Sequence, residues 1–143
     1  MATKRIRSIA VMTGGGDCPG LNAVIRAVVK TAINKHKLDV WGIQDGYLGL
    51  IENRIDRLDY NDVSNILTLG GTILGTSNIA NPFRYAYKTG RGLQYKDVSN
   101  DCIQALQERE IDALVCIGGD GTMATAAAFA KKGLTVMGVP KTI

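Results

Sequence analysis

Residues 111–122, IDALVCIGGDGT, decide the fold. Seven mostly apolar residues, rich in β-branched and aliphatic side chains, predict a buried strand over 111–117. GGDG follows as a loop, and the Ala-rich stretch 122–132, TMATAAAFAKK, predicts a helix. Strand, glycine loop and helix in that order make half of a βα crossover. Working outward, 134–139 (LTVMGV) predicts a further strand ending at Pro140, and 97–109 (DVSNDCIQALQER) a helix leading in. Towards the start, 6–12 (IRSIAVM) predicts a strand, TGGGDCPG a loop, 21–34 (LNAVIRAVVKTAIN) a helix and 38–43 (LDVWGI) a second strand. QDGYLGLIE reads as a loop, 60–69 as a helix with Asn61 or Asp62 near its start, and 70–83 as a long polar, glycine-bearing loop. Strands that alternate with helices predict an α/β fold: three layers, a mostly parallel sheet with helices on both faces. No repeat, low-complexity tract or linker interrupts it.

The bulk composition narrows the class. At 45% hydrophobic and 21% charged, the chain has the makeup of an ordinary globular domain. Its apolar runs are too short to span a bilayer, so no membrane association is expected. Lys plus Arg number 17 against 13 Asp plus Glu, but they are dispersed; an anionic small substrate accounts for the excess, and no nucleic-acid recognition motif accompanies it. Three cysteines without a CxxC pair, and one histidine, exclude a zinc cluster and suggest reduced thiols in a cytoplasmic protein. Cys116 reads as core and Cys18 as a small loop residue.

The chemistry is expected where strands end. Ligands of such sheets bind beyond the carboxyl ends of the strands. Three glycine-bearing loops leave strand ends here: 13–20, 70–76 and 118–121. In GGDGT, glycines allow close backbone approach and the following helix start favours an anion. Asp120 would repel a phosphate unless a cation lay between them, and Mg²⁺ is bound by one or two carboxylates together with phosphate oxygens. The competing reading is a plain turn with Asp120 as helix N-cap. TGGGDCPGLN forms a second cradle around Gly15 and Gly16. It is neither a Walker A loop, lacking GK[ST], nor a GxGxxG turn. Asp17 either caps its helix, orients a lysine or joins the metal shell. Two cradles suggest phosphoryl transfer, for which Lys141 and Arg84 are candidate cations. Arg26 and Lys30, one turn apart, read as a solvated helix face or as an anion site at a subunit contact.

Five segments in this order and spacing, MTGGGDCPGLNAVIR, GIQDGYLGL, GGTILGTS, IDALVCIGGDGTMATA and GVPKTI, resemble the 6-phosphofructokinase family across nearly the whole chain. The resemblance implies transfer of the ATP γ-phosphoryl group to the 1-hydroxyl of fructose 6-phosphate with Mg²⁺. It further implies that 1–143 is most of an N-terminal nucleotide-binding domain, ending before the catalytic aspartate and without the second domain, and that the full-length protein is a homo-oligomer. By motif, Asp120 matches the Mg²⁺-binding aspartate, Gly15 and Gly16 the first phosphate loop, and Tyr47 a tyrosine on the adenine side. Gly119, Asp120, Gly121 and Thr122 match the main nucleotide contacts. Thr142 matches a threonine on the sugar-phosphate side, and Arg26 and Lys30 match effector positions.

The chain departs from the family pattern in three places. Asn78 stands where an arginine commonly follows GGT-x-LG, with Arg84 as a possible substitute. Gly121 marks ATP use, because pyrophosphate users carry a second aspartate there; two like charges about 4 Å apart cost on the order of 4 kcal/mol at an effective dielectric of 20. Lys141 instead resembles pyrophosphate users. Finally, PKTI stops short of the family's T-I-D-N-D and its general base. The alternatives are therefore a pyrophosphate-dependent enzyme and a non-catalytic nucleotide-binding regulatory domain.

Overall fold

The computed structural model describes residues 5–16 and 18–141. Five strands form the main sheet: β1 (Ser8–Thr13), β2 (Asp39–Ile43), β3 (Ile55–Leu58), β6 (Ala113–Gly118) and β7 (Val136–Pro140), in the order β3-β2-β1-β6-β7. β1 pairs in parallel with both β2 and β6, and β6 with β7; only the edge pair β2/β3 is antiparallel. A separate hairpin joins β4 (Tyr85–Thr89) to β5 (Gly92–Lys96).

Period-two alternation divides the core between two faces. Ile9 and Val11 of β1, with Val115 and Ile117 of β6, pack with Leu21, Ile25 and Val29 of helix α1 (Leu21–His36). Ala10, Met12, Leu114 and Cys116 face the other way. There they meet α2 (Tyr47–Ile51), α3 (Ser99–Glu108) and α4 (Asp120–Lys131), whose Phe129 is fully buried. The expected three layers are present, and chain order leaves β1 as the centre from which crossovers run both ways. That arrangement opens a crevice at the carboxyl ends of β1 and β6.

Three local expectations are corrected. Within 60–69 only one 3₁₀ turn forms, Tyr60–Val63, closed by reciprocal bonds between Asp59 and Asp62. Beyond it the chain follows tertiary demands: buried Asn22 of α1 donates to the Leu69 carbonyl (3.1 Å) and accepts from the Ile73 amide (2.7 Å). Leu67 and Leu69 stay more than half exposed, so the apolar spacing there never made a helix face. The 44–52 stretch, read as a loop, contains the five-residue helix α2. Its Gly49 is required because a Cβ would collide with the Gln44 carbonyl oxygen. The 85–96 segment, given no element from sequence, is a hairpin with a two-residue Gly90-Arg91 turn.

Among the described residues, Cys18, Cys102 and Cys116 are buried free thiols. No helix among them is long and apolar enough to cross a membrane.

Candidate functional site

β6 ends at Gly118, and α4 begins two residues earlier than its sequence suggests. Gly119 is the N-cap, so Asp120 occupies the first helical position rather than the loop before it. The capping alternative for Asp120 is thereby excluded. Its carboxylate is exposed and enters no hydrogen bond or ion pair among the described residues. A negative charge at that helix end is favoured by the helix dipole and leaves a free ligand for a cation.

The glycines of the two cradles divide into two sets. A Cβ at Gly14 would lie 2.5 Å from Thr122 Oγ1, and one at Gly118 would lie 2.6 Å from the same atom. These two positions lack side chains to admit Thr122, whose buried side chain wedges between the ends of β1 and β6. The Gly14 amide bonds the Ile117 carbonyl (2.8 Å) and closes the junction. Gly121, by contrast, has nothing within 4 Å of a would-be Cβ, and Gly119 has only the Lys141 carbonyl oxygen at 3.9 Å. This second pair, like Gly15 on the first loop, faces space that a ligand can take. The expectation that all these glycines serve phosphate approach is corrected accordingly.

The cleft above them encloses about 360 Å³ and is lined by Gly15, Tyr47, Asn78, Gly119, Asp120, Gly121 and Thr122, together with Ser77, Ala80, Asn81 and Thr125. That volume lies at the lower end of small-molecule sites. Thr13, at the end of β1, bonds the Gly75 carbonyl (2.8 Å) and the Thr72 hydroxyl (2.9 Å). The third glycine loop is thus packed against the strand end, and the residues after it, 77–81, reach the cleft. Ser77, Asn81 and Thr125 were not foreseen. Their only signal was polarity in a long loop leaving a strand end, and a threonine facing the same way as the first turn of α4.

Lys141 leaves β7 and crosses to the first loop: its Nζ donates to the Gly16 carbonyl, and its backbone amide bonds the Gly118 carbonyl (2.9 Å). A Cβ at Gly15, whose φ is +78°, would lie 3.9 Å from Lys141 Nζ. The lysine therefore places positive charge beside the first loop. Tyr47 is buried; its hydroxyl donates to the Thr122 carbonyl (2.8 Å), with Cys116 Sγ 3.7 Å away. Burial, reinforced by Cys116, pushes this phenol well above its ordinary range, and burial pushes the Cys116 thiol up to about 11. Tyr47 thus holds the start of α4 from below, and only its ring edges the cleft.

Other expected site residues lie elsewhere. Arg84 is not in the cleft wall: its guanidinium stacks 4.2 Å from the Tyr95 ring centroid. Hairpin packing, which sequence did not reveal, holds it there. Arg26 and Lys30 are on α1, away from the cleft. Lys30 lies 4.2 Å over the Tyr60 ring and, by hydrogen bonding and charge, lowers the Tyr60 phenol, while Arg26 Nε is buried without a partner. Asp17 and Thr142 fall outside the described residues. No group of three or more His, Cys, Asp or Glu side chains among the described residues could hold a metal. Asp120 alone fits a hard cation that takes its remaining ligands from phosphate and water.

A parallel sheet with a helix start, open glycines, one free carboxylate and a lysine at its crevice defines an α/β domain suited to a phosphorylated ligand. The phosphofructokinase family profile matches residues 8–143, and the chain belongs to that family. It is 52% identical over 139 residues to an ATP-dependent 6-phosphofructokinase 2 of Clostridium perfringens, covering 96% of this chain and 38% of that protein. It is 44% identical over 137 residues to an ATP-dependent 6-phosphofructokinase 3 of Bacteroides thetaiotaomicron, covering 94% of this chain and 39% of that one. Among solved structures, phosphofructokinase from Saccharomyces cerevisiae superposes with a TM-score of 0.80 at 29% identity, over 95% of this chain and 20% of that chain. A pyrophosphate-dependent phosphofructokinase from Marinobacter aquaeolei shares the fold, with a TM-score of 0.74 at 19% identity, over 96% of this chain and 34% of that one. The chain spans about four-tenths of the length of these bacterial relatives.

Proposed function

We propose that this chain is the nucleotide-binding part of a 6-phosphofructokinase that transfers the γ-phosphoryl group of ATP to the 1-hydroxyl of fructose 6-phosphate. The observation that carries the proposal is Asp120: an unpaired carboxylate at the first position of α4, between two glycines with open space, on the wall of the cleft. Mg²⁺ held there would neutralise phosphate charge in the transferred group. Gly119 and Gly121 let the phosphates approach the backbone, and Lys141 supplies a fixed cation at the first loop. Asn78 lines the cleft and offers a polar contact, while Arg84 would have to leave Tyr95 to take part. Thr142 is assigned to the sugar-phosphate side.

Gly121 supports ATP as donor, since a second carboxylate there would compete for the space of the α-phosphate. The names of the relatives at 44–52% identity agree. Lys141 is the observation favouring pyrophosphate instead. The sugar contacts are assigned mainly to the length of the relatives that this chain does not span. Arg26 and Lys30 form a separate surface on α1, for an effector in a homo-oligomeric, cytoplasmic enzyme.

Calorimetry with Mg-ATP and, separately, Mg-pyrophosphate tests this reading. ATP binding that Asp120→Ala reduces by about a hundredfold or more is expected, the scale of losing one charged contact. Pyrophosphate binding without ATP binding would reverse the donor assignment. Undiminished ATP binding in Asp120→Ala would remove the metal role.

A further inference from the structure

The opposite end of the sheet carries a second, larger cleft. It encloses about 820 Å³ where β1 and β2 begin, where β3 ends and where the chain leaves α3 for β6. Four arginines line it: Arg5, Arg7, Arg57 and Arg109. Three carboxylates share the wall, two of them already engaged. Asp39 pairs with Arg57 (3.0 Å), and Asp112 accepts the Arg7 and Ser8 backbone amides (2.8 and 3.2 Å). Only Glu110 has no partner among the described residues, whereas neither the Arg5 nor the Arg7 side chain has one. The balance of unengaged charge is positive.

Two buried polar atoms in this wall lack partners: Ser8 Oγ, on a residue 6% exposed, and Trp41 Nε1. The only other orphan among the described side chains is Arg26 Nε. Neither Ser8 Oγ nor Trp41 Nε1 has surface open to the cleft, so the groups a ligand can reach there are the guanidiniums and the Trp41 ring. The guanidiniums form a set of donors with no acceptor among them, which matches a ligand made of acceptors. Guanidiniums in particular suit the oxygens of phosphate. Arg57 and Arg109 also lie 5.4 and 5.9 Å from the Trp41 ring centroid, and Arg109 is fixed by Asn53 Oδ1 (2.7 Å) and the Ala105 carbonyl (3.2 Å). The volume exceeds that of a bare phosphate many times over and falls within the range of metabolite sites.

We propose that this amino-end cleft is a second ligand site, for a small phosphate monoester, with Arg5, Arg7 and Arg57 on the phosphate and the Trp41 ring beside it. It is separate from the nucleotide cleft and does not depend on the function proposed above.

Trp41 is the only tryptophan of the chain, so its indole N–H gives a single reporter signal in ¹H–¹⁵N spectra. Ribose 5-phosphate serves as probe, with inorganic phosphate and ribose alone as the comparison arms. The expected result is a saturable movement of the indole signal, with ribose 5-phosphate binding about tenfold tighter than phosphate. The response should disappear in Arg7→Gln and Arg57→Gln, whose side chains are at the surface, and persist in Asp120→Ala. No movement at millimolar probe would overturn the proposal, as would a response that survives both arginine changes or is lost in Asp120→Ala. Equal affinity for phosphate and ribose 5-phosphate would overturn the monoester assignment.

Discussion

The carboxyl ends of the parallel strands and their amino ends both open onto clefts, and the two are built by different means. At the carboxyl end the binding groups belong mostly to the backbone: open glycines, the first turn of α4, one carboxylate and one lysine. At the amino end they belong to side chains, four arginines around a half-buried indole. A site made of backbone constrains the residues around it, because only glycine tolerates the close approach of Thr122 to the ends of β1 and β6. A site made of long side chains imposes no such constraint on its neighbours.

That difference explains what was legible in the sequence. GGDGT and TGGGDCPG are contiguous, fixed in spacing and placed at strand ends, so the first cleft could be found from pattern alone. Arg5, Arg7, Trp41, Arg57 and Arg109 are spread over a hundred positions, and only the sheet brings them together. The strand and helix periodicities in 6–43 and 97–140 predicted the three layers because both core faces follow them strictly. Elements set by tertiary contacts were not legible: α2 is five residues with a glycine inside it, and the 64–69 path is dictated by the Asn22 amide. Asp120 was found for its type, but its position on the helix rather than in the loop required the structure. Arg84 stacks on Tyr95 instead of lining the cleft, a placement set by the hairpin and carried by no motif.

The contrast between the two ends can be sharpened first by alkaline titration, where the expected effect is largest. Cys116, under the carboxyl-end cleft, and Cys102, on α3, are buried, and burial raises their thiols from 9.0 to about 11 and about 12. Below pH 9 both states keep these thiols protonated and their full contribution is present. Between pH 9 and the folded values the unfolded chain ionises while the folded protein does not, so stability falls as pH rises. The loss is on the order of 3 kcal/mol per thiol at about 1.4 kcal/mol per pH unit. Urea midpoints from pH 8 to 11 measure it, and Cys102→Ala with Cys116→Ala should flatten the slope.

A smaller effect separates the two sets of glycines within the carboxyl end. Gly118→Ala puts a Cβ 2.6 Å from Thr122 Oγ1, and such overpacking costs about 1–3 kcal/mol. Nucleotide binding should fall with it, because Thr122 sits in the first turn of α4. Gly121→Ala enters open space inside a helix, and stability should rise by up to about 1 kcal/mol. Thermal unfolding of the two variants gives shifts of opposite sign. A stable Gly118→Ala would mean that the start of α4 can move off the end of β6, since Thr122 Cβ is also only 2.7 Å away, and that Thr122 does not lock the strand ends.

The smallest expected effect is also the one that most directly separates the two ends. Arg57 and Asp39 form an ion pair with side chains more than half exposed, and such pairs contribute about 0–1 kcal/mol. Arg57→Gln keeps the stem over Trp41 and removes the charge, so unfolding midpoints should move little, by less than about 0.5 kcal/mol. Nucleotide affinity, measured by the same calorimetry used for Asp120→Ala, should not change, because the side chain lies at the far end of the strands from α4. The indole response to ribose 5-phosphate should nevertheless be lost. A variant silent in stability and in nucleotide binding but deaf at the indole has only one affected function, since packing loss would appear in the melt and a shared site would appear in the calorimeter. If Arg57→Gln instead weakened nucleotide binding, the two clefts would be coupled through β1 and β2, and the amino-end ligand would act on the nucleotide site rather than beside it.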